Sequence, residues 1–279
     1  MKDKLTFRPN PELEGKTVLI TGAGGTIGSS LVGAMLNQGA KVVAVDISEY
    51  AIYRLNERFD IRGIVGDVSD KQLLDLIFAR EYVDYIFHCA AYKHVDMSED
   101  DINTYSYIKN NVRTTQHLLE YPVEHFILIS SDKAVNPSNT MGRTKQQSEQ
   151  LVRERCSGHY AIVRFGNVYN SSGSFVETMN RQITEMKPIT LTDMLMTRFF
   201  LTIHDATSLI NEVVRMNESG TYVLDMGEEI RIVDLIPESH PIRFIGMRPG
   251  EKINEEIVSG NEILVNTNHE LIKRVERVQ

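Results

Sequence analysis

The chain has 279 residues and is 42% hydrophobic, which is enough to bury a large core as one domain or as a domain with an added lobe. Its net charge of −8 and pI near 5.5 exclude a generic nucleic-acid-binding surface, so a phosphate-bearing ligand has to be met by local cations or helix N-termini. The polar opening MKDKLTFRPNPELEGK has no signal-peptide core, and no stretch approaches the ~18 apolar residues of a membrane span, so a cytoplasmic protein without a membrane partner is expected.

In chain order, TVLIT (17–21) reads as a buried strand, followed by a helix over 27–38 and a second strand, KVVAVD (41–46). RGIVGD (62–67), YIFHCAA (85–91), HFILIS (125–130) and YAIVRF (160–165) continue the strands, and 48–59, 70–80, 104–120 and 140–156 carry helical periodicity between them. Strand and helix in alternation imply an α/β fold with a doubly wound parallel sheet, here a dinucleotide-binding domain over 1–165. After Phe165 the rhythm breaks. GNVYNSSGSF reads as loop, then come a helix, a short strand near PITLT, a helix over 204–216, and TYVLDM (221–226), which can return to the main sheet. The tail PIRFIGMRPGEKINEEI (241–257) reads as strand, loop and helix. Residues 166–279 are therefore expected to form a smaller substrate-binding lobe, partly interleaved with the first domain.

Gly22, Gly25 and Gly28 in TGAGGTIGSS follow the first strand and open the first helix, with Thr26 and Ile27 between them. Glycines let a backbone approach a pyrophosphate, and a helix N-terminus favours its negative charge. Asp46 closes the second strand about 20 residues on, where an acid binds ribose hydroxyls and repels a 2′-phosphate, favouring NAD over NADP. Asp67 and Val68 follow the third strand, at the usual place of an adenine ring. The competing reading of Asp67 is a helix cap. Ala90 and Ala91 end the fourth strand at the same edge. Cys89 and Cys156 lack metal-ligand spacing and read as buried thiols, and no metal is expected.

SSDKAVNPSNTMGRTK (130–145) runs from a strand end into a helix that carries Met141 and Lys145 on one face. Many nicotinamide-dependent enzymes hold Tyr where this chain has Met141, and Met can neither donate nor accept a proton. Asp132 and Lys133 stand at the carboxyl end of HFILIS, the edge at which open parallel sheets place ligands. An acid and a base side by side can take opposite roles. The competing reading is a solvated surface pair with Met141 as core.

The glycine spacing, the strand order and the strand–helix site ending in Lys145 resemble the extended short-chain dehydrogenase/reductases. AAYKHVDMSE (90–99), SSDKAVNPSNTMGRTK, RFGNVYNSSGS (164–174), TDMLMTRFFLTIHDA (192–206) and RPGEK (248–252) narrow the resemblance to the UDP-N-acetylglucosamine 4,6-dehydratases of bacterial polysaccharide synthesis, some of which carry Met at this place. Many of those have membrane helices ahead of the catalytic domain, and this chain resembles the catalytic domain alone. A surface helix between RIVDL and PIRF looks trimmed.

The resemblance implies an NAD-dependent hydro-lyase that oxidises sugar C4, eliminates water across C5–C6 and returns hydride to C6, with C5 configuration retained. It implies Asp132 as acid, Lys133 as base, Ser131 at the 4-hydroxyl and Lys145 at the nicotinamide ribose. Lys93 is expected at a phosphate or sugar hydroxyl, with His94 beside it either functional or structural. Asn167 and Arg248 are expected at the diphosphate, Glu251 at the ribose, and Thr192 and Arg198 beside the uridine. Arg248 can also be read as a solvated loop cation. UDP-N-acetylglucosamine is the implied substrate, and a homodimer through 104–120 and 140–156 the implied assembly. A nucleotide-sugar 4-epimerase and a catalytically silent NAD-binding regulator are the competing functions. The Asp132–Lys133 pair argues against the epimerase, which needs no elimination acid.

Overall fold

The structure is a computed structural model that describes residue 3 and residues 5–278. Six parallel strands, β1 (Thr17–Thr21), β2 (Lys41–Asp46), β3 (Ile64–Val65), β4 (Tyr85–His88), β5 (His125–Ile129) and β6 (His159–Arg164), stand in the order β3-β2-β1-β4-β5-β6. The order reverses between β1 and β4, and the crevice outside their carboxyl ends is where such sheets bind ligands. The strands are near-continuous apolar runs because both faces are covered. Val18, Ile20, Ile127 and Ile129 enter one core with α1 (Thr26–Leu36) and α2 (Glu49–Arg58). Their neighbours Leu19, Phe126 and Leu128 enter another with α3 (Lys71–Arg80), α5 (Thr114–Leu118) and α6 (Thr140–Arg155). That is the two-residue period of a strand read directly in the packing.

The stretch 104–120 is not one helix. α4 (Asp101–Tyr107) passes into a wider π-type turn over Ile108–Arg113 before α5 begins. Buried Asn111 sits in that turn. Its side chain accepts from Tyr92 N at 2.8 Å and donates to Thr144 Oγ1 at 2.9 Å, and its carbonyl accepts from the hydroxyls of Thr115 and Ser148. Side chains inserted into the helical ladder favour such a bulge. The third strand is shorter than 62–67 implied, keeping only Ile64–Val65.

After β6 the chain builds a small lobe and then rejoins the sheet. β7 (Asn167–Val168), α7 (Phe175–Thr184), β8 (Ile189–Leu191), β9 (Thr197–Arg198) and β10 (Phe200–Leu201) precede α8 (Ile203–Met216), which packs on α1. β11 (Gly220–Leu224) pairs parallel with β6. β12 (Ile230–Arg231) and β13 (Ile242–Phe244) pair with β9 and β8, so the lobe gains its own core around Val176, Leu191, Phe200 and Ile232. The helix expected within 241–257 does not form. Arg198 takes the carbonyls of Lys252 and Ile253, and Ser138 and Asn139 take that of Gly250, which removes the acceptors a helix needs. A hairpin that the sequence reading did not anticipate, β14 (Glu262–Asn266) and β15 (Ile272–Arg277), adds antiparallel to β11 and completes a nine-stranded sheet. No helix among the described residues is long and apolar enough to cross a membrane.

Buried charges tie this late hairpin to α6. Arg164 at the end of β6 donates to both Glu149 oxygens at 2.8 and 2.7 Å and to both Glu262 oxygens at 2.9 and 3.1 Å. Glu149 also accepts from Arg153 and, at 2.6 Å, from Ser130 Oγ. Burial alone would raise the Glu149 carboxyl, but the bonds from Arg164, Arg153 and Ser130 hold it below its usual value. Its stabilising contribution is therefore complete above the unfolded value of 4.5 and is lost as pH falls through the lower folded value. Glu149→Gln should cost about 3–5 kcal/mol in urea unfolding at neutral pH, because it leaves Arg164 partly unpaired. Adding both Arg164→Met and Glu262→Gln, which removes every charge of the Glu149–Arg164–Glu262 pairings, should recover part of that cost. A single-variant cost below about 1 kcal/mol would show that the network does not hold the sheet together.

Candidate active site

The turn after β1 is built so that two backbones can touch. Gly22 has φ +64°, and a Cβ there would lie 2.7 Å from Ala90 N, so the β1 turn sits directly against the end of β4. A Cβ on Gly28 would lie 2.1 Å from the Gly22 carbonyl oxygen, so α1 packs equally close to the turn. Gly25 is the N-cap of α1 and no side chain caps the helix. The first-turn amides of Thr26, Ile27 and Gly28 thus have no competing side-chain acceptor, which is the donor set an anionic phosphate needs. Asp46 accepts from Gly24 N and Ser48 N, each at 2.9 Å, and stands beside the loop at the end of β2. These residues fit a dinucleotide.

Asp67 does not cap α3, since Asp70 does so by accepting from Gln72 N. Asp67 accepts from Ser69 N at 2.9 Å and from Lys109 Nζ at 3.1 Å. Burial opposes its charge, but the Ser69 and Lys109 bonds outweigh that and lower its pKa. Val68 is buried in the core against α3, while Ala90 and Ala91 are half-buried at the sheet edge. From the lobe, Ser172 donates its N–H to Thr26 Oγ1 at 3.0 Å, and Lys93 Nζ donates to the Ser172 carbonyl. Lys93, Thr26 and the 170–174 loop therefore meet, with His94 packed against Gly173. Burial pushes the Lys93 ammonium below its ordinary value, against the pull of Glu177.

Beyond β5, Ser131 caps a short 3₁₀ turn, Asp132–Ala134. Asp132 is 1% exposed. Its Oδ1 accepts from Ser131 Oγ at 2.7 Å and from Lys133 Nζ at 3.0 Å, while its buried Oδ2 has no partner. A buried carboxylate oxygen without a donor is costly and points to a group that arrives from outside. Asn139 caps α6 and sets Met141 in its first turn, 2% exposed. One turn on, Lys145 Nζ donates to the Ile129 carbonyl at 2.8 Å. Burial brings Lys145 down to about 8, against the opposing pull of Cys89 and Glu149. Burial pushes the Cys89 thiol up to about 12 and holds His88 neutral, its ring between Thr21 Oγ1 and Thr115 Oγ1.

The residues expected at the substrate nucleotide lie in three places. Arg248 is exposed, pairs with Asp96 at 2.8 Å and bonds through its N–H to Glu251, so these two stand together on the 248–252 loop. Asn167 lies half-buried in β7, and Thr192 follows β8 with its hydroxyl on Met196 Sδ. Arg198 differs from a free ligand contact. It is buried, and its guanidinium donates to the carbonyls of Thr197, Lys252 and Ile253 at 2.6–2.8 Å, so it clamps the tail.

Sequence reasoning missed Ser130, Glu149, Arg164, Asn111 and Glu255. Glu149 had a signal, since it lies one turn past Lys145 on the same helix face. Glu255 had none. It comes within 3.6 Å of Lys133 only through the fold of the tail.

The phosphate loop gives a direct test of close packing. Gly28→Ala should destabilise the ligand-free protein by about 1–3 kcal/mol, because the added carbon meets rigid backbone rather than a side chain. A melting temperature equal to wild type would mean that α1 does not approach the turn as described.

The family described as "Polysaccharide biosynthesis protein" matches residues 18–277. An uncharacterized membrane protein of Methanocaldococcus jannaschii is 39% identical, covering 89% of this chain and 82% of that protein. The capsular polysaccharide biosynthesis protein CapD of Staphylococcus aureus is 35% identical over 94% of this chain, which spans only 48% of CapD. A Campylobacter jejuni protein named UDP-N-acetylglucosamine 4,6-dehydratase (inverting) is 30% identical, covering 89% of this chain and 79% of its own. Among solved structures, Pen from Bacillus thuringiensis superimposes with a TM-score of 0.83 at 32% identity, over 95% of this chain and 92% of Pen. A UDP-glucuronic acid 4-epimerase from Bacillus cereus, in complex with UDP-glucuronic acid and NAD, gives 0.73 at 26% identity, over 85% of this chain and 88% of its own. With its glycine turn, its reversed strand order and its site at the carboxyl edge, the chain belongs to the polysaccharide biosynthesis protein family, built on the Rossmann fold of the extended short-chain dehydrogenases.

Proposed function

We propose that the protein is an NAD-dependent UDP-N-acetylglucosamine 4,6-dehydratase. The observation that carries the reading is the pairing of buried Asp132 with half-buried Lys133 at the carboxyl edge of β5, with one carboxylate oxygen unpartnered. The relative of that name in Campylobacter jejuni and the NAD-bound epimerase of Bacillus cereus support the substrate class and the cofactor.

Bound NAD would supply the hydride chemistry, with acceptance from sugar C4 and return at C6. The chain's residues manage the protons. Ser131 stands at the 4-hydroxyl. Lys133 takes the C5 proton made acidic by the new ketone, and Asp132 gives a proton to the departing C6 hydroxyl. Moving one proton along the 3.0 Å Lys133–Asp132 bond turns an ion pair into an amine beside an acid, the two species that elimination requires. Met141 packs and positions. Lys145 holds the nicotinamide ribose, while Gly22, Gly25, Thr26, Ile27 and Gly28 hold the pyrophosphate. Asp46 takes the adenosine ribose, and Asp67 and Val68 flank the adenine beside Ala90 and Ala91. Arg248 and Asn167 hold the substrate diphosphate, Glu251 its ribose, Thr192 and Arg198 border the uridine, and Lys93 reaches the sugar or a phosphate. Configuration at C5 is read as retained, by resemblance to Met-bearing dehydratases; the Campylobacter relative is named inverting, and the product's proton couplings at C5 decide between the two. The proposed homodimer uses 104–120 and 140–156, of which Tyr105 and Ile108 expose apolar surface.

Four outcomes test this reading. Incubation with UDP-N-acetylglucosamine and catalytic enzyme should give a sugar lighter by one water, over many turnovers and without added NADH. A product of unchanged mass would indicate a 4-epimerase, and no turnover a silent binder. Lys133→Ala and Asp132→Ala should lose roughly 10²–10⁴-fold in rate, while Met141→Leu should lose less than about tenfold. The reverse ranking would overturn the assigned roles. Lys145 loses its charge as pH rises through about 8, so dinucleotide affinity measured by calorimetry should weaken above that pH, and Lys145→Met should remove the dependence. NAD should bind more tightly than NADP, and tighter NADP binding would refute the role of Asp46.

A further inference from the structure

A line of alternating charges leads away from the acid–base couple. Asp132 Oδ1 meets Lys133 Nζ at 3.0 Å, Lys133 Nζ meets Glu255 Oε1 at 3.6 Å, and the same Glu255 oxygen meets Arg198 Nη2 at 3.9 Å. The side chains of Asp132, Lys133, Glu255 and Arg198 are 1, 16, 5 and 8% exposed. A carboxylate so covered is costly unless it faces positive charge, and among the described residues its ion-pair partners are Lys133 and Arg198.

The backbone that carries Glu255 is held from two sides. Toward the catalytic turn, Lys252 Nζ donates to the Asn136 carbonyl at 2.7 Å, and Asn136 Nδ2 donates to Glu256 Oε2 at 2.5 Å. Toward β9, Arg198 donates to the Lys252 and Ile253 carbonyls, Thr197 N donates to the Ile253 carbonyl at 3.0 Å, and Asn254 Nδ2 reaches Thr197 Oγ1 at 2.7 Å. The tail thus delivers one carboxylate to a fixed point beside Lys133.

Lys133 needs such an anchor. Its amine rides on a flexible four-carbon stem, and Asp132 belongs to the same short turn and moves with it. A second contact from an independent segment fixes the amine in space. We propose that Glu255 is a positioning residue for Lys133, holding its amine where C5 is deprotonated, with Arg198 balancing the added negative charge. The segment that bears Arg248 and Glu251 at the nucleotide thereby also seats the base. This rests on the dehydratase reading above.

The test uses Glu255→Gln, Glu255→Asp and Glu255→Ala in the full chain. Gln and Ala should lower kcat for dehydration about 10–100-fold with KM within about threefold of wild type, and Asp should recover part of the loss. C4 oxidation does not require Lys133. The quenched sugar from a single turnover should therefore hold an excess of 4-keto sugar that has kept its water, alongside reduced cofactor. A merely structural role slows both stages together, so an undehydrated pool at the wild-type level overturns the proposal. Melting temperature and bound dinucleotide serve as the folding check, and the near-isosteric Gln variant carries the result if the Ala variant does not fold.

If the wild type dehydrates nothing, the function fails separately from the positioning. Positioning is then read from trace acetic anhydride labelling with peptide mass spectrometry. Lys133 should label about threefold or more faster in Glu255→Gln than in wild type, with Lys145 unchanged. Equal labelling of Lys133 overturns the proposal.

Discussion

The interaction on which the rest of the molecule depends is the buried Glu149–Arg164 pair and its extension to Glu262. Charges this deep are costly to desolvate and are tolerated only when nearly every donor and acceptor is satisfied. Here both Glu149 oxygens and three guanidinium nitrogens are engaged. The geometry that satisfies them also fixes α6 against β5 and β6. Glu149 lies one turn beyond Lys145, and its bond to Ser130 holds the residue before Ser131 and Asp132. A shift of α6 along the sheet would break the ion pair and displace Lys145 from the Ile129 carbonyl together.

The same network explains why the sheet does not end at β11. Glu262 begins β14, so the last hairpin is attached to the functional helix by a buried charge as well as by ladder bonds. The tail between the lobe and that hairpin crosses the carboxyl edge. On its way it supplies Gly250 to the α6 N-cap, Lys252 to the turn after Asp132, and Glu255 to Lys133. Residues distant in sequence meet there because the crossover connections of a parallel sheet place every strand's carboxyl end on one side.

The parallel sheet was legible in the sequence because its signal is local. Apolar runs such as TVLIT and HFILIS can be buried on both faces and little else, and the glycine turn sits between a strand and a helix that identify it. The features that escaped were decided by distant partners. Nothing local in IKNNVR announces a π turn, which follows from Asn111 reaching Tyr92 and Thr144. EKINEEI has helical composition, yet Arg198 claims its carbonyls first. EILVN and IKRVER alternate only weakly, and become strands because the β11 edge and Arg164 are waiting for them. Arg198 shows the limit for site residues as well. Its type suits a nucleotide contact, and its guanidinium is held by tail carbonyls that no spacing rule reveals.

Met141 follows the same logic of satisfaction. It is 2% exposed in the first turn of α6, with its backbone N–H on Ser98 Oγ. A tyrosine buried there would bring a hydroxyl that needs a partner, whereas the thioether needs none. The side chain can therefore be apolar without leaving an unmet donor. Polar groups lie instead at the strand edge, where Ser131, Asp132 and Lys133 form one hydrogen-bonded chain and Asp132 keeps an oxygen open. In the proposed mechanism the helix would supply shape and the Lys145 cation, and the strand end the exchangeable protons. Under the proposed dehydratase function, an apolar residue at 141 would mark a division of labour between two elements.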